Sequence, residues 1–342
     1  MSTPTPSRRG PGPLNTIADV PGVRVGSAED LDVRTGATVI VPPVRAVAGV
    51  DVRGGGPGTR ETDLLAPENL VDAIDAIVLS GGSVYGLAAA DGVVAVLGAA
   101  GKGFAVAPGL KTAPIVPGAI LFDLANGGNK DWGDAPPYAR LGREALERAS
   151  AEVRQGSVGA GTGAMAGALK GGLGSASIQL PGGGVVGALS VVNSHGSVVM
   201  PGTRAFWAWP WEIGDEFGGA RPPGDFSADP FDWDHAKRNP TPRGNTTLAV
   251  VATDVALTPA QARRVAVMAQ DGLARAIRPV HTPFDGDCVF VLSTGARPLA
   301  DPAPVSLTVI GAAAADCLAR ATARGVFEAR PLAGERSWAD LA

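Results

Sequence analysis

At 342 residues, with 45% hydrophobic and 18% charged side chains, the chain has the composition of a globular protein that buries a sizeable core, as one large domain or two closely packed ones. A formal net charge of -4 supplies no basic face for nucleic acid or an anionic membrane, so neither is expected as a partner and a small substrate is. The two cysteines, Cys288 and Cys317, are too few for a disulfide framework or a thiolate metal site and fit a reducing compartment.

Residues 1 to 14 are polar and proline-rich and read as a disordered tail. No apolar h-region follows, as a secretory signal would require, so the expected location is cytoplasmic. From Ala37 the runs ATVIVPP and AVAGVDV read as strands separated by a Pro-Pro break. DAIDAIVLSGGSVYGLAAADGVVAVLGAAG then passes from a strand through a glycine turn into a helix of small residues. Ala113 to Asp123 is a further buried stretch, and Pro137 to Ala151 reads as a helix with charges on one face. SASIQL and GGVVGALSVVNSHGSVVM supply the strands of a second sheet. From Phe206 to Arg243 the periodicity is lost, and the segment reads as a long surface loop.

Beyond that loop the signals sharpen. Thr246 to Thr253 is a predicted strand, and Thr258-Pro259 with Gln261 forms a capping box that opens a helix running to about Ile277. Cys288 to Ser293 is the next strand, Ala303 to Ile310 a last one, and Gly311 to Gly325 a last helix. If the strands flanking the capped helix are parallel neighbours, their N-terminal ends share one sheet edge. Thr246 then faces the Asp285-Gly286-Asp287 loop.

Several chemistries are weighed. The histidines, His195, His235 and His281, lie in unrelated contexts without metal-ligand spacing, and Ser83 lacks a nucleophile elbow. No metal and no organic cofactor is expected. Gly159 to Ala164 matches G-x-G-x-x-A, which keeps open a glycine-loop nucleotide-binding protein, although no buried strand precedes it.

Asn245-Thr246 is either ordinary turn and strand chemistry or a bond that the protein cuts in itself. Cleavage before Thr246 would give its hydroxyl a neighbouring α-amine, of pKa about 8, as proton acceptor. Asp285 and Asp287 could orient the hydroxyl and the ammonium, and Asn193, at a strand end, could donate to the oxyanion. Lys170 is the only Lys, Arg, Asp or Glu from Gly156 to Val199. By propensity it is a surface residue, and otherwise a buried one with a task. An acyltransferase with the same threonine logic is a further reading.

GGGPGTRETDLL, LSGGSVYGLAAADGV, GAGTGAMAGALKGGLGSAS, GNTTLAVVATD and ARAIRPVHTPFDGDCVF resemble the DmpA-type self-processing aminopeptidases, which include the beta-peptidyl aminopeptidases and nylon-oligomer hydrolases. The likeness runs from about Ile17 to Gly325. It implies an α+β fold, a four-layer αββα sandwich of the N-terminal-nucleophile-hydrolase type, cut once into chains 1-245 and 246-342. It further implies a homo-oligomer, expected as a tetramer, acting on small peptides or amides.

By the same resemblance Thr246 is the nucleophile, Asn245 precedes the cut and Asn193 binds the oxyanion. Lys170, Asp285 and Asp287 fall where the nylon-oligomer branch has its active-site lysine and aspartates. Where the family places a tyrosine near the oxyanion this chain has Phe122, which shifts the burden to Asn193, to backbone N–H groups or to Tyr85.

Overall fold

The computed structural model describes residues 10–237 and 244–341. The first half of the chain forms β1 (Arg24–Asp30), β2 (Thr35–Val41), β3 (Ala46–Val52), β4 (Thr59–Arg60), β5 (Ala73–Ile74), β6 (Ile77–Ser80), α1 (Ala89–Ala99), β7 (Gly118–Ile120) and α2 (Tyr138–Glu147). A short ribbon of β8 (Met165–Ala166) and β9 (Leu169–Lys170) follows, then β10 (Leu173–Gln179), β11 (Val185–Asn193), β12 (Thr246–Val255), α3 (Pro259–Ala276), β13 (Cys288–Arg297) and α4 (Ala303–Phe327).

The strands build two sheets, ordered β1-β2-β6-β7-β4 and β10-β11-β12-β13-β3-β5. Three apolar layers show how they stack. Val39, Val78, Val93 and Leu141 seal α1 and α2 onto the first sheet. Ile40, Leu79, Leu189, Val250 and Phe290 fill the space between the sheets. Val251, Val291, Leu273 and Leu318 join the second sheet to α3 and α4. The result is the expected αββα sandwich. Because β11 and β12 are covered on both faces, they are buried along their whole length and read as continuous apolar runs, not alternating ones.

The unit β12–α3–β13 follows its local signals. Thr258 Oγ1 accepts from the Gln261 N–H at 3.3 Å while Gln261 Oε1 accepts from the Thr258 N–H at 2.9 Å, with Pro259 in the first turn. The strands on either side of the helix pair in parallel, Leu248 opposite Cys288.

Three expectations are corrected. Ala303–Ile310 is not a strand but the opening of α4. Its β-branched residues suit a strand locally, yet Ile310, Ala314, Cys317, Leu318 and Ala321 recur at helical spacing and are buried, and that face decides the conformation. The segment from Phe206 is not only surface. Phe206, Ala208 and Phe217 are buried, with Phe206 stacked on Trp338 at 5.6 Å; positions 238–243 of that loop reading lie outside the described residues. Of the predicted tail, residues 1–9 lie outside them too, whereas the Gly12 N–H donates to Ser177 Oγ at 3.0 Å and docks its segment beside β10.

One buried cation ties these pieces to α4. Arg320, 1% exposed, donates from Nε to Glu216 Oε1 at 2.6 Å, from Nη2 to Asn15 Oδ1 and Glu216 Oε2 at 2.8 Å, and from Nη1 to the Ser177 carbonyl at 2.7 Å. Burial opposes the charge on Glu216, but the guanidinium outweighs it and holds the carboxyl below its ordinary value. That contribution is present above the ordinary carboxylate range and is lost as pH falls through the lowered value. Arg320→Ala leaves Glu216 unpaired and is expected to cost about 3–5 kcal/mol, read as a lower urea midpoint.

Candidate active site

Asn193 ends β11, Thr246 begins β12, and the antiparallel register sets them opposite each other. On the other side of β12, Asn245 bridges in parallel to Asp285. The shared sheet edge therefore gathers Asn193, Asn245, Thr246, Asp285 and Asp287, each at most 3% exposed. Sheet hydrogen bonding on both sides fixes the backbone here, so the side chains are held on rigid elements.

The Thr246 hydroxyl donates to the carbonyl oxygen of Asn245, the residue before it. The same oxygen accepts from the Gly286 N–H at 2.9 Å. Asp287 takes the Thr247 N–H on Oδ1 at 2.7 Å, and its Oδ2 faces the His281 ring Nδ1 at 2.8 Å. Asp285 accepts from the His195 N–H at 3.0 Å, from the Thr282 N–H at 3.1 Å and from the Thr282 hydroxyl at 2.5 Å. Burial raises the Asp285 pKa, and the Asp287 charge adds to the effect. The two aspartates thus lock the loop around the Asn245–Thr246 peptide.

Asn193 accepts the Met165 N–H at 2.9 Å and donates from Nδ2 to the Phe122 carbonyl at 3.1 Å and the Gly244 carbonyl at 3.4 Å. It touches the residues on either side of the site. The donor aimed at the Asn245 carbonyl is the Gly286 amide, which the sequence reading did not single out. Phe122 brings only its backbone, and Tyr85, 47% exposed, packs edge-on against Trp132.

Lys170 is buried, 1% exposed, against the surface placement that propensity alone predicts. Its ammonium donates to the carbonyls of Gly161, Ala164 and Gly171 at 3.2, 2.9 and 2.8 Å; among the described residues it makes no bond to Thr246. It cages the turn that presents Met165 to Asn193. The whole Gly159–Ala164 turn is buried. A Cβ on Gly159 would meet Thr38 Oγ1 at 2.2 Å and one on Gly161 the Leu173 nitrogen at 2.5 Å. These glycines serve close packing and leave no open cradle for a phosphate.

Burial pulls the Lys170 pKa down to about 8, partly offset by Glu335 and Asp123. Between that value and the ordinary 10.5 the unfolded chain binds the extra proton, so stability rises with pH over this window. The gain is on the order of 1–3 kcal/mol, and Lys170→Met is expected to abolish it in melts compared at pH 8 and 10.

Lys237 is the residue that sequence reading missed. Its ammonium sits 2.7 Å from Asn245 Oδ1 and 3.3 Å from the Asn193 carbonyl. A cleft of about 180 Å³ opens here, lined among others by Phe122, Asp123, Met165, Asn193, Lys237 and Asn245. Asn245 lines this cleft, and its carbonyl accepts from the Thr246 hydroxyl.

The sequence pattern of peptidase family S58 matches residues 15–338. The chain belongs to peptidase family S58. As a member of that family it is a peptide hydrolase. An uncharacterized aminopeptidase of Mycobacterium tuberculosis is 47% identical over 351 residues, spanning 96% of this chain and 98% of the relative. A 6-aminohexanoate-oligomer endohydrolase of a Kocuria species is 34% identical over 289 residues, 81% of this chain and 74% of the relative.

Among solved structures, a beta-aminopeptidase of a Burkholderia species superposes with TM-score 0.68 at 27% identity, covering 93% of this S58 chain and 88% of its own. The L-aminopeptidase D-Ala-esterase/amidase of Ochrobactrum anthropi, a variant of the Ntn hydrolase fold, gives TM-score 0.68 at 22% identity over 96% and 90% of the two chains. At that identity the likeness concerns the fold, and it is the fold expected from the sequence.

Proposed function

We propose that this S58 peptidase is a self-processing N-terminal-threonine hydrolase that cleaves small peptides or amides as an aminopeptidase or amidase. The observation that carries the proposal is the meeting of the Thr246 hydroxyl and the Gly286 N–H on the Asn245 carbonyl oxygen. The hydroxyl lies against the group it would attack, and the amide donor stands where negative charge would develop.

In the maturation step Thr246 Oγ bonds to the Asn245 carbonyl carbon and the Asn245–Thr246 C–N bond breaks. The hydroxyl proton passes to the departing nitrogen, and water hydrolyses the resulting ester. Thr246 is left with a free α-amine of pKa about 8, neutral in part near pH 7. In turnover that amine takes the Oγ proton, Oγ attacks the substrate carbonyl, and the proton passes to the leaving amine. Water then releases the acyl group from Oγ. Asn245 becomes the C-terminus of the larger chain, and its withdrawal from beside Asn193 opens the cleft onto the nucleophile.

Intact-mass measurement and N-terminal sequencing test this directly. Active enzyme should contain a smaller chain that begins at Thr246; active enzyme that is uncut there overturns the proposal. A second reading within the family, a nylon-oligomer endohydrolase, is supported by the threonine with Asp285 and Asp287 and by the Kocuria relative. Turnover of an aminohexanoate oligomer measured beside an aminoacyl amide separates the two.

A further inference from the structure

Asn245 is held unevenly. Its Oδ1 receives Lys237 Nζ at 2.7 Å, while its Nδ2 is buried and has no partner among the described residues. Lys237 Nζ also approaches the Asn193 carbonyl at 3.3 Å and Asn193 Oδ1 at 3.5 Å. Three acceptors around one nitrogen suit an ammonium, which has three donors and no lone pair. The described residues therefore complement an oxygen atom here and offer nothing to an amide nitrogen.

In self-cleavage Asn245 is itself the acyl group. A substrate's acyl residue must place its carbonyl carbon against Thr246 Oγ as Asn245 does, and its side chain then falls where the Asn245 carboxamide lies. From this juxtaposition we propose that Lys237 sets the acyl-side specificity of the mature enzyme, which favours amides of an acyl residue bearing a carboxylate on its β-carbon, an aspartyl amide, over the near-isosteric leucyl amide. An asparaginyl amide ranks between them, since it fills the oxygen position and strands its nitrogen. The inference rests on the Thr246 chemistry proposed above.

The surroundings agree. Burial lowers the Lys237 pKa to about 7, with Asp285 working the other way, so an entering carboxylate restores a charge that the pocket has weakened. Asp123 lines the same cleft, but its oxygens are taken by the Thr35 hydroxyl at 2.6 Å and the Gly82 N–H at 2.7 Å. Burial raises its pKa and so weakens its repulsion of an acidic substrate.

The test compares kcat/KM for aspartyl, asparaginyl and leucyl p-nitroanilides. Wild-type enzyme is expected to favour aspartyl over leucyl by about ten-fold or more, and Lys237→Met to bring that ratio to about one or below. Wild type that takes the leucyl substrate as well as the aspartyl one overturns the inference, as does a ratio that survives Lys237→Met. Should Lys237→Met remain uncut, Lys237→Arg, which keeps the cation, is expected to retain the aspartyl preference, and its loss counts against the inference. Failure of the parent reading looks different: the chain stays whole at Asn245–Thr246, whereas here it is cut and active but unselective.

Discussion

Thr246→Ala is expected to give a single uncut chain of 342 residues with amide hydrolysis reduced by about 10⁴-fold or more. The methyl group keeps the β12 register and the burial of position 246, so the variant should fold and melt within about 1 kcal/mol of wild type. What it removes is the hydroxyl that lies against the Asn245 carbonyl. Thr246→Ser restores a hydroxyl and should restore cleavage. Thr247→Val provides the contrast, because the Thr247 hydroxyl is buried without a partner among the described residues and its loss should leave processing intact. Processing by Thr246→Ala at the wild-type rate would remove Thr246 from the chemistry.

Gly286→Ala should slow self-cleavage by about 10²–10³-fold, the range found when one oxyanion donor is lost. A Cβ at this position would stand 2.7 Å from Thr246 Oγ1 and 2.9 Å from the Gly56 carbonyl oxygen. Both distances are too short, so either the nucleophile or the loop must move. Movement of the loop carries the Gly286 N–H away from the Asn245 carbonyl. Stability should fall by only about 1–3 kcal/mol, so a time course of chain cleavage in folded protein separates the effect on chemistry from unfolding. An unchanged rate would show that the Gly286 amide has no part in the step.

The parts of the site legible in the sequence are those where local signals and tertiary structure agree. The capping box at Thr258 marks the start of α3, and the crossover it implies sets Thr246 against the Asp285-Gly286-Asp287 loop, as the structure has it. Asn193 could be read as a strand end because the run before it is unbroken. Lys170 was ambiguous for a physical reason: lysine is ordinarily exposed, and only the carbonyls of a turn folded back upon it make burial tolerable. Lys237 was invisible because it lies in an aperiodic, acidic, proline-rich stretch where neither period nor motif assigns a role. One signal was available there, since lysine supplies only five of the chain's 29 basic residues. The first turns of α4 read as a strand because Val305, Thr308, Val309 and Ile310 favour extended backbone when considered apart from the buried helical face that continues from Ile310.

The position of β12 between β11 and β13 has a consequence for how such an enzyme would survive denaturation. A break before Thr246 leaves the two middle strands β12 and β13, with α3 and α4, on the smaller fragment, and their neighbours β11 and β3 on the larger. Neither fragment closes that sheet alone. An intact precursor refolds as a unimolecular event, but a matured molecule, once its pieces separate, must find its other half by diffusion. Recovery of the folded sheet from urea, read before any assembly of folded chains, should therefore depend on protein concentration after maturation and be independent of it before.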